Sequence, residues 1–468
     1  MSPDPNDDRS AARPGGPPPQ PRGDEGARPD TPEPAGTRKP VDAPASPAVD
    51  GAPAEPPIPE TRPDDPTASP APPPKPASPA AKKPKPPGAA SGSKPAGPPL
   101  KKPARPPGAK RPPVPARART VDPEGAPEGD GEALGLPVLS RKDFVSGADV
   151  RWCPGCGDYA VLAAVQRALP ELAERKENVV FVSGIGCSSR FPYYMDTYGF
   201  HSIHGRAPAV ATGLKATRPE LDVWVVTGDG DALSIGAGHT AHTLRRNVDL
   251  QVLLFNNQIY GLTKGQYSPT SEVGKVTKSS PYGSLDHPFN PAALALGADG
   301  TFVARTLDRD PKHMQQVLKA AHAHRGTSFV EIYQNCNIFN DGAFFDFTER
   351  ETKPLRTVFV EDGRPLTYAN GQKGLVLDGL RLRSVDLGGG HGADDCVVYD
   401  STDKALAFLV IDQLFWDADL PRPFGVLYRE DRPTYDALLN EQVEAVTRER
   451  GRGDLAALLA AGDTWTIE

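Results

Sequence analysis

The sequence DVWVVTGDGDALSIGAGHTAHTLRRNVDLQVLLFNNQIYGLTKG, residues 222–265, carries the pattern that predicts the fold. Its first apolar run, Val223–Val226, ends in a Gly-Asp-Gly turn, and its second, Val252–Phe255, ends in Asn256 and Asn257. The segment between the two runs has the periodicity of a helix. Two short apolar runs that flank an amphipathic segment are typical of a βαβ unit. We therefore expect an α/β fold with a parallel sheet and helices on both faces.

Polar residues follow both predicted strands. Ligands of parallel sheets bind at the carboxyl ends of the strands, and Asp229 and Asn257 both fall there. Their oxygens suit a hard cation such as Mg²⁺, which takes few protein ligands together with phosphate oxygens. The neighbouring glycines allow the backbone to approach a diphosphate. The residues therefore predict a cofactor site for magnesium and a diphosphate.

The composition of the 468 residues changes near residue 140. About 40 of the 55 prolines precede residue 141, and no Phe, Trp or Tyr occurs before Phe144. A segment without aromatic residues buries too little apolar surface to offset its ordering entropy, so we predict a disordered Pro/Ala-rich arm over residues 1–135. Twelve Lys and Arg and no acidic residue lie between Asp65 and Asp122, whereas the whole chain has a net charge of −7. The arm is therefore cationic.

Two interpretations of the arm stay open. Pro-rich segments are most often solvated, semi-rigid spacers. The positive charge also suits attachment to an acidic surface, although we do not expect nucleic acid as a partner. The N-terminal residues MSPDPNDDRS lack the pattern of a secretory signal, and no run of eighteen apolar residues occurs. We therefore expect a cytoplasmic protein without a transmembrane segment.

The part of the chain after the arm divides by pattern into two regions. Residues 141–340 contain the predicted strands and helices of the cofactor-binding domain. Beyond Asn340 the pattern weakens to short apolar runs and one helix near residues 404–415. Residues 341–468 therefore predict a smaller α+β C-terminal appendage.

The five cysteines are the second group of candidate ligands. Cys153 and Cys156 form a CxxC turn, Cys187 follows a Gly-rich turn, and Cys336 follows a predicted strand. Four thiolates on converging loops suit a structural zinc ion or a [4Fe–4S] cluster. On spacing alone, an isolated turn with buried free thiols is an equally open interpretation. Cys396 lies in a polar stretch, and we expect a free thiol there.

Five motifs together carry a family resemblance. They are WCPGCGDY from Trp152, GIGCSSRFPYY from Gly184, HSIHGRAPA from His201, TGDGDALSIG from Thr227 and FNNQIYGLTKGQYSPT from Phe255. In this order and spacing, the chain from about Asp143 onward resembles the thiamine-diphosphate-binding β subunit of 2-oxoacid:ferredoxin oxidoreductases. The resemblance is greatest to the actinobacterial 2-oxoglutarate type.

The resemblance implies a set of site residues. It assigns a [4Fe–4S] cluster to Cys153, Cys156, Cys187 and Cys336. It assigns Mg²⁺ to the side chains of Asp229 and Asn257 and to the backbone carbonyl of Ile259. It assigns the diphosphate of thiamine diphosphate to Gly230, Asp231, Gly261 and Leu262, and other parts of this cofactor to Ile185, Gly186, Ser188 and His204. His204 is also the candidate catalytic residue, with a plain loop histidine as the alternative. Asn337 stands where relatives frequently have proline, which predicts a looser loop after Cys336.

The resemblance also implies a reaction and partners. The reaction is the coenzyme A-dependent oxidative decarboxylation of 2-oxoglutarate to succinyl-CoA and CO₂, with one-electron transfers through the cluster to ferredoxin. An α subunit is the implied partner in an α₂β₂ assembly, and we expect the appendage to contact it. One alternative is the same chemistry on pyruvate or another 2-oxoacid. A second is a non-redox thiamine-diphosphate decarboxylase with structural zinc, and a third, disfavoured by the intact metal ligands, is an interaction protein.

Overall fold

The computed structural model describes residues 138–462 and residue 465. The arm predicted over residues 1–135 lies outside this range. Within the described part, none of the helices has the length and apolar composition that crossing a bilayer requires.

Eight strands form the main sheet. They are β1 (Val179–Ser183), β2 (Tyr198–His201), β3 (Asp222–Gly228), β4 (Leu250–Asn256), β5 (Phe302–Leu307), β6 (Thr327–Tyr333), β7 (Thr357–Val360) and β11 (Arg422–Arg429). Their order is β2-β1-β3-β4-β6-β5-β11-β7. Strands β1 to β6 are parallel to their neighbours, whereas β11 pairs antiparallel with β5 and parallel with β7. The prediction of a mostly parallel α/β sheet is confirmed.

Helices cover both faces of this sheet. One face packs against α1 (Asp158–Leu172) and α6 (Pro311–Ala323), and the other against α2 (Ala207–Thr217), α4 (Ala237–Arg246), α5 (Pro291–Gly297) and α9 (Lys404–Trp416). Alternate residues of β3 enter opposite layers: Val223 and Val225 join the second, and Trp224 and Val226 join the first. A strand buried on both faces reads as a continuous apolar run, as the sequence does here.

The remaining elements are short or lie after residue 340. They are α3 (Asp229–Leu233), α7 (Phe345–Thr348), α8 (Lys353–Arg356), β8 (Thr367–Tyr368), β9 (Lys373–Asp378), β10 (Arg381–Asp386), α10 (Tyr435–Arg450) and α11 (Leu455–Leu459). Strands β10, β9 and β8 form a separate antiparallel sheet in that order. Residues after 340 thus contribute this small sheet and also β7, α9 and β11 of the main layers. The domain boundary at residue 340 stays a prediction.

An ion pair lies inside the main sheet. Arg305 of β5 and Glu331 of β6 are paired in register, and both side chains are fully buried. The Arg305 Nε donates to Glu331 Oε2 at 2.7 Å, and Asn256 Nδ2 donates to Glu331 Oε1 at 2.8 Å. Removing one partner of such a pair leaves an uncompensated buried charge.

We expect Glu331→Gln to lower the free energy of unfolding by roughly 3–5 kcal/mol, because the Arg305 guanidinium then stays buried without a compensating negative charge. Denaturant unfolding followed by circular dichroism measures this loss. The double variant Arg305→Met/Glu331→Leu removes both charges and should recover most of the stability. Wild-type stability in Glu331→Gln would contradict the prediction.

His324 follows α6 and is buried against Thr301. Its Nε2 lies 2.8 Å from Thr301 Oγ1. Burial lowers the pKa of His324 to about 4. The unfolded chain, where histidine titrates near 6.5, therefore binds the proton first as the pH falls. The contribution of His324 to stability is present above about pH 6.5 and is lost as the pH falls toward 4.

Between pH 7 and pH 5, the wild type should lose about 2 kcal/mol more unfolding free energy than His324→Gln does. The glutamine amide keeps a donor for Thr301 and does not titrate. Urea unfolding of both proteins at the two pH values measures the difference. Parallel pH profiles of the two proteins would show that His324 is not the group that titrates.

Candidate active site

Asp229 begins α3 at the carboxyl end of β3, and its side chain is buried. Two hydroxyl groups contact the same carboxylate oxygen: Ser268 Oγ donates to Oδ2 at 2.5 Å and Thr270 Oγ1 at 2.6 Å. Burial raises the pKa of Asp229, while these hydrogen bonds oppose that shift. A carboxylate that is removed from water is suited to binding a divalent cation, because the positive charge of the cation would compensate its negative charge.

Asn257 follows β4, the strand next to β3. Its Nδ2 donates to Gln334 Oε1 at 2.8 Å, and its Oδ1 accepts from the Ile259 backbone N–H at 3.2 Å. The intervening Gln258 has a positive φ of 55°, which produces the tight turn between the two predicted ligands. The three predicted magnesium ligands therefore belong to two adjacent strand ends, because Gly228 of β3 pairs with Phe255 of β4.

The ring of Tyr260 leaves no room for a side chain at Gly230. A Cβ at this position would lie 2.2 Å from Cε1 of Tyr260, and the Tyr260 hydroxyl donates to the Gly230 carbonyl at 3.1 Å. The ring of Tyr260 thus fixes the loop after β4 against the start of α3. Gly261 and the half-exposed Leu262 follow directly. The assignment of the diphosphate to these residues stays a prediction.

Asp231 holds two loops in place. Its Oδ1 accepts from the backbone N–H of Ile185 at 3.1 Å and of Gly205 at 2.8 Å, and its Oδ2 accepts from Thr227 Oγ1 at 2.8 Å. A Cβ at Gly184 would lie only 1.8 Å from Oδ2. The carboxylate is therefore engaged by the protein on both oxygens. The sequence pattern did not predict this anchoring role.

His204 lies on one of these loops. Its Nδ1 is 3.3 Å from Asp231 Oδ1, and its side chain is 55% exposed. The imidazole therefore lies beside the carboxylate, while most of the ring faces solvent.

A cavity of about 580 Å³ opens beside these loops. Its lining combines the predicted cofactor residues Ile185, Gly186 and Leu262 with Ala148, Asp149, Arg151, Arg190, Tyr193, Tyr194 and His201. Asp149 is acidic and lies 3.4 Å from the Arg151 guanidinium. Ser188, also predicted to bind cofactor, is buried next to this loop. Arg151, Tyr193 and His201 were not predicted as site residues, although Tyr193 and His201 lie inside two of the five motifs and Arg151 directly precedes a third.

The three cysteine loops are tied to one another. Trp152 Nε1 donates to the Cys187 carbonyl at 2.7 Å, which links the CxxC segment to the second loop. Asn337 Nδ2 donates to the Pro154 carbonyl at 2.6 Å, which links the third loop to the CxxC turn. The Asn337 amide closes a contact that proline cannot make, and the looser loop after Cys336 stays a prediction.

The thiols of two of these loops also approach the cofactor loop. A Cβ at Gly261 would lie 3.5 Å from the Sγ of Cys187 and 3.5 Å from the Sγ of Cys336. Burial, with nearby acidic groups and the other cysteines, raises the pKa of Cys187 to about 12 and also raises that of Cys156. Thiols in such surroundings need a cationic centre in order to ionise. The donor set therefore fits a group that brings its own positive charge.

Cys396 lies apart from these loops. It is buried with its Sγ near Gly374 in the region of the small sheet. Among the described residues, no three His, Cys, Asp or Glu side chains form a group that could hold one metal ion.

Comparison with known proteins first defines the class. Residues 184–332 match the family model described as "Thiamine pyrophosphate enzyme, C-terminal TPP binding domain". This range begins at the loop held by Asp231 and ends in β6, so it contains the strand ends described above. The chain thus contains a domain of the thiamine-pyrophosphate-enzyme class.

Individual relatives narrow the class. The 2-oxoglutarate oxidoreductase subunit KorB of Mycobacterium tuberculosis is 54% identical over 347 residues, which cover 71% of this chain and 91% of the relative. A 2-oxoacid:ferredoxin oxidoreductase subunit beta of Saccharolobus solfataricus is 46% identical over 192 residues, 41% of this chain and 63% of the relative. The chain belongs to the β-subunit family of the 2-oxoacid:ferredoxin oxidoreductases.

A solved structure agrees with this assignment. It is the 2-oxoglutarate:ferredoxin oxidoreductase from Magnetococcus marinus with 2-oxoglutarate, coenzyme A and succinyl-CoA bound. The similarity has a TM-score of 0.55 and 33% sequence identity, and it covers 69% of this chain and 97% of that chain.

Proposed function

We propose that the chain is the β subunit of a 2-oxoglutarate:ferredoxin oxidoreductase. The reaction converts 2-oxoglutarate and coenzyme A to succinyl-CoA, CO₂ and one proton, and its two electrons reduce two one-electron ferredoxins. The observation that carries the proposal is that the loop with the predicted magnesium ligand Asn257 approaches the predicted cluster ligands at the carboxyl ends of the strands. Gly261 lies on the loop that begins at Asn257, and a Cβ at its position would lie 3.5 Å from the Sγ of Cys187 and of Cys336. A carbon centre that loses electrons singly needs an acceptor this close.

Asp229, Asn257 and the Ile259 carbonyl would hold Mg²⁺, and Cys153, Cys156, Cys187 and Cys336 would hold a [4Fe–4S] cluster. When bound, thiamine diphosphate supplies the electron sink for decarboxylation and the cluster accepts single electrons. The residues of the chain bind and orient these groups. Ser268 and Thr270 hold the Asp229 carboxylate through its Oδ2, so that Oδ1 is available to the cation.

Substrate binding would use the cavity beside Ile185. Arg151 and Arg190 give this cavity two guanidinium groups close to the predicted cofactor residues. Guanidinium groups recognise carboxylates through paired hydrogen bonds. They therefore suit a dicarboxylate such as 2-oxoglutarate better than pyruvate, which has no distal carboxylate. His204, whose Nδ1 lies 3.3 Å from Asp231 Oδ1, is the residue we propose to hold or transfer a proton at the reacting end.

The α subunit is the proposed partner, in an α₂β₂ assembly to which residues 341–468 contribute contacts. The beta-subunit names of the relatives support this partner. Ferredoxin is the proposed electron acceptor. The cytoplasm is the proposed compartment, where reduced thiols persist.

Co-expression with an α subunit tests the proposal. The purified complex should be brown, contain iron and reduce a viologen dye only when coenzyme A is present. Among 2-oxoglutarate, pyruvate and branched 2-oxoacids, 2-oxoglutarate should give the highest kcat/KM. A higher value for pyruvate would overturn the substrate, and a colourless complex with stoichiometric zinc would overturn the redox chemistry.

A further inference from the structure

Gln334 occupies the junction between the two predicted cofactor sites. It follows β6 directly, its side chain is buried, and its backbone N–H donates to the Asn256 carbonyl at 2.9 Å. This bond continues the pairing of β6 with β4 by one residue. The side chains of Gln334 and Asn257 therefore extend from neighbouring strand ends.

The two ends of the Gln334 amide contact different sites. Its Oε1 accepts from Asn257 Nδ2 at 2.8 Å. Its Nε2 donates to the Sγ of Cys156 at 3.3 Å and to the Asn335 carbonyl at 2.7 Å. One buried amide thus joins a predicted magnesium ligand to a predicted cluster ligand.

We propose that Gln334 is a positioning residue for both cofactors: its carbonyl end orients Asn257 toward the metal, and its amide N–H tunes the cluster through Cys156. The proposal rests on the proposed function, since it assumes that both groups are bound. Gln334 is therefore proposed to act through Asn257 and Cys156 and not by direct contact with the substrate.

The carbonyl end of the Gln334 amide determines which end of the Asn257 amide faces the cation. An asparagine amide can present either its oxygen or its NH₂ group to a cation, and only the oxygen is a ligand. Gln334 takes the NH₂ group, so the Asn257 oxygen is left for the turn and the metal. Partners that orient metal ligands in this way are commonly worth 10–100-fold in metal affinity.

The N–H end acts on the cluster. A hydrogen bond to a cluster sulfur stabilises the more negative, reduced state and raises the reduction potential. The Cys156 turn is also held rigidly at this point, because the Gly157 N–H donates to the Asn335 carbonyl at 3.1 Å. A side chain at Gly157 is excluded, since its Cβ would lie 2.0 Å from Asp308 Oδ2.

Two substitutions in the co-expressed complex separate the two roles. Gln334→Leu removes both ends of the amide. Gln334→Glu keeps an acceptor for Asn257 and removes the donor to Cys156. Gln251→Leu is the matched control, because Gln251 is a buried glutamine at the opposite end of β4. The measurements are iron content, cluster midpoint potential by redox titration, and affinity for thiamine diphosphate with Mg²⁺ by calorimetry.

We expect Gln334→Leu to retain its iron and to lose about tenfold in the equilibrium constant for cluster reduction, which is about 59 mV for one electron. Its cofactor affinity should fall by about tenfold or more. Gln334→Glu should also have the lower potential but keep an affinity within about threefold of the wild type. Gln251→Leu should change neither quantity.

A wild-type potential in iron-loaded Gln334→Leu would overturn the tuning role, even if Gln334→Glu shifts through its charge. Equal losses of cofactor affinity in both Gln334 variants would overturn the orienting role. Absence of iron from the wild-type complex would instead contradict the proposed function. The three failures are therefore distinguishable.

Discussion

The Asp229→Asn variant is expected to lose about a thousandfold in affinity for thiamine diphosphate with Mg²⁺, or about 4 kcal/mol. The substitution keeps the shape of the side chain and removes the negative charge that the proposed dication would neutralise. It also places an NH₂ group or a neutral oxygen against the hydroxyls of Ser268 and Thr270, which donate to Asp229 Oδ2. Calorimetric titration of the complex with the cofactor and Mg²⁺ measures the affinity.

Asp436→Asn is the matched control for this variant. Asp436 is a buried aspartate in α10, and its Oδ1 accepts a hydrogen bond from the Asp249 backbone N–H at 3.0 Å. It should bind the cofactor normally. Iron content should be unchanged in both variants, because neither residue lies on a cysteine loop. Wild-type cofactor affinity in Asp229→Asn would refute its assignment as a metal ligand.

The central fold was predictable because its strands are buried on both faces. Val223–Val226 and Val252–Phe255 read as uninterrupted apolar runs, and both lie inside observed strands β3 and β4. Helix α2 (Ala207–Thr217) has a matching local signal, since its small residues pack on the sheet and Pro219 follows its end. Here local pattern and tertiary burial give the same signal.

Strand β11, which lies between β5 and β7, was not predictable in the same way. Strand β11 contains Pro423 and Gly425, residues that disfavour strands in isolation. Gly425 adopts a φ of 117°, and a bulge follows between Val426 and Tyr428. The pairing of β11 with β5 joins residues that are far apart in sequence, so no local sequence pattern predicts it.

The candidate site divides along similar lines. The positions of Asp229 and Asn257 at the carboxyl ends of parallel strands were predictable, whereas their role as metal ligands stays a prediction. Gln334 follows β6 at the same side of the sheet, and the same rule applied to every strand would have made it a candidate. The anchoring role of Asp231 depends on the positions of Ile185 and Gly205, which only the folded chain brings together.

The Cys153→Ala variant is expected to lose the intact [4Fe–4S] cluster and to reduce ferredoxin on the order of a hundredfold more slowly or worse. Cys153 is exposed, so its loss should cost little folding stability. It lies on the CxxC turn, a different loop from those of Asp229 and Asn257. Cofactor affinity should therefore stay within about threefold of the wild type, while electrons lose their proposed route out of the site.

Iron analysis, electron paramagnetic resonance and calorimetry measure these two effects on the same preparation. Cys396→Ala is the matched control, since Cys396 is a free cysteine in the region of the small sheet. It should keep its iron, its colour and its ferredoxin reduction. Full iron content in Cys153→Ala would remove this residue from the ligand set. Joint loss of iron and cofactor affinity would mean that the two sites fold as one unit, whose nearest observed links are Gly261 and Gln334.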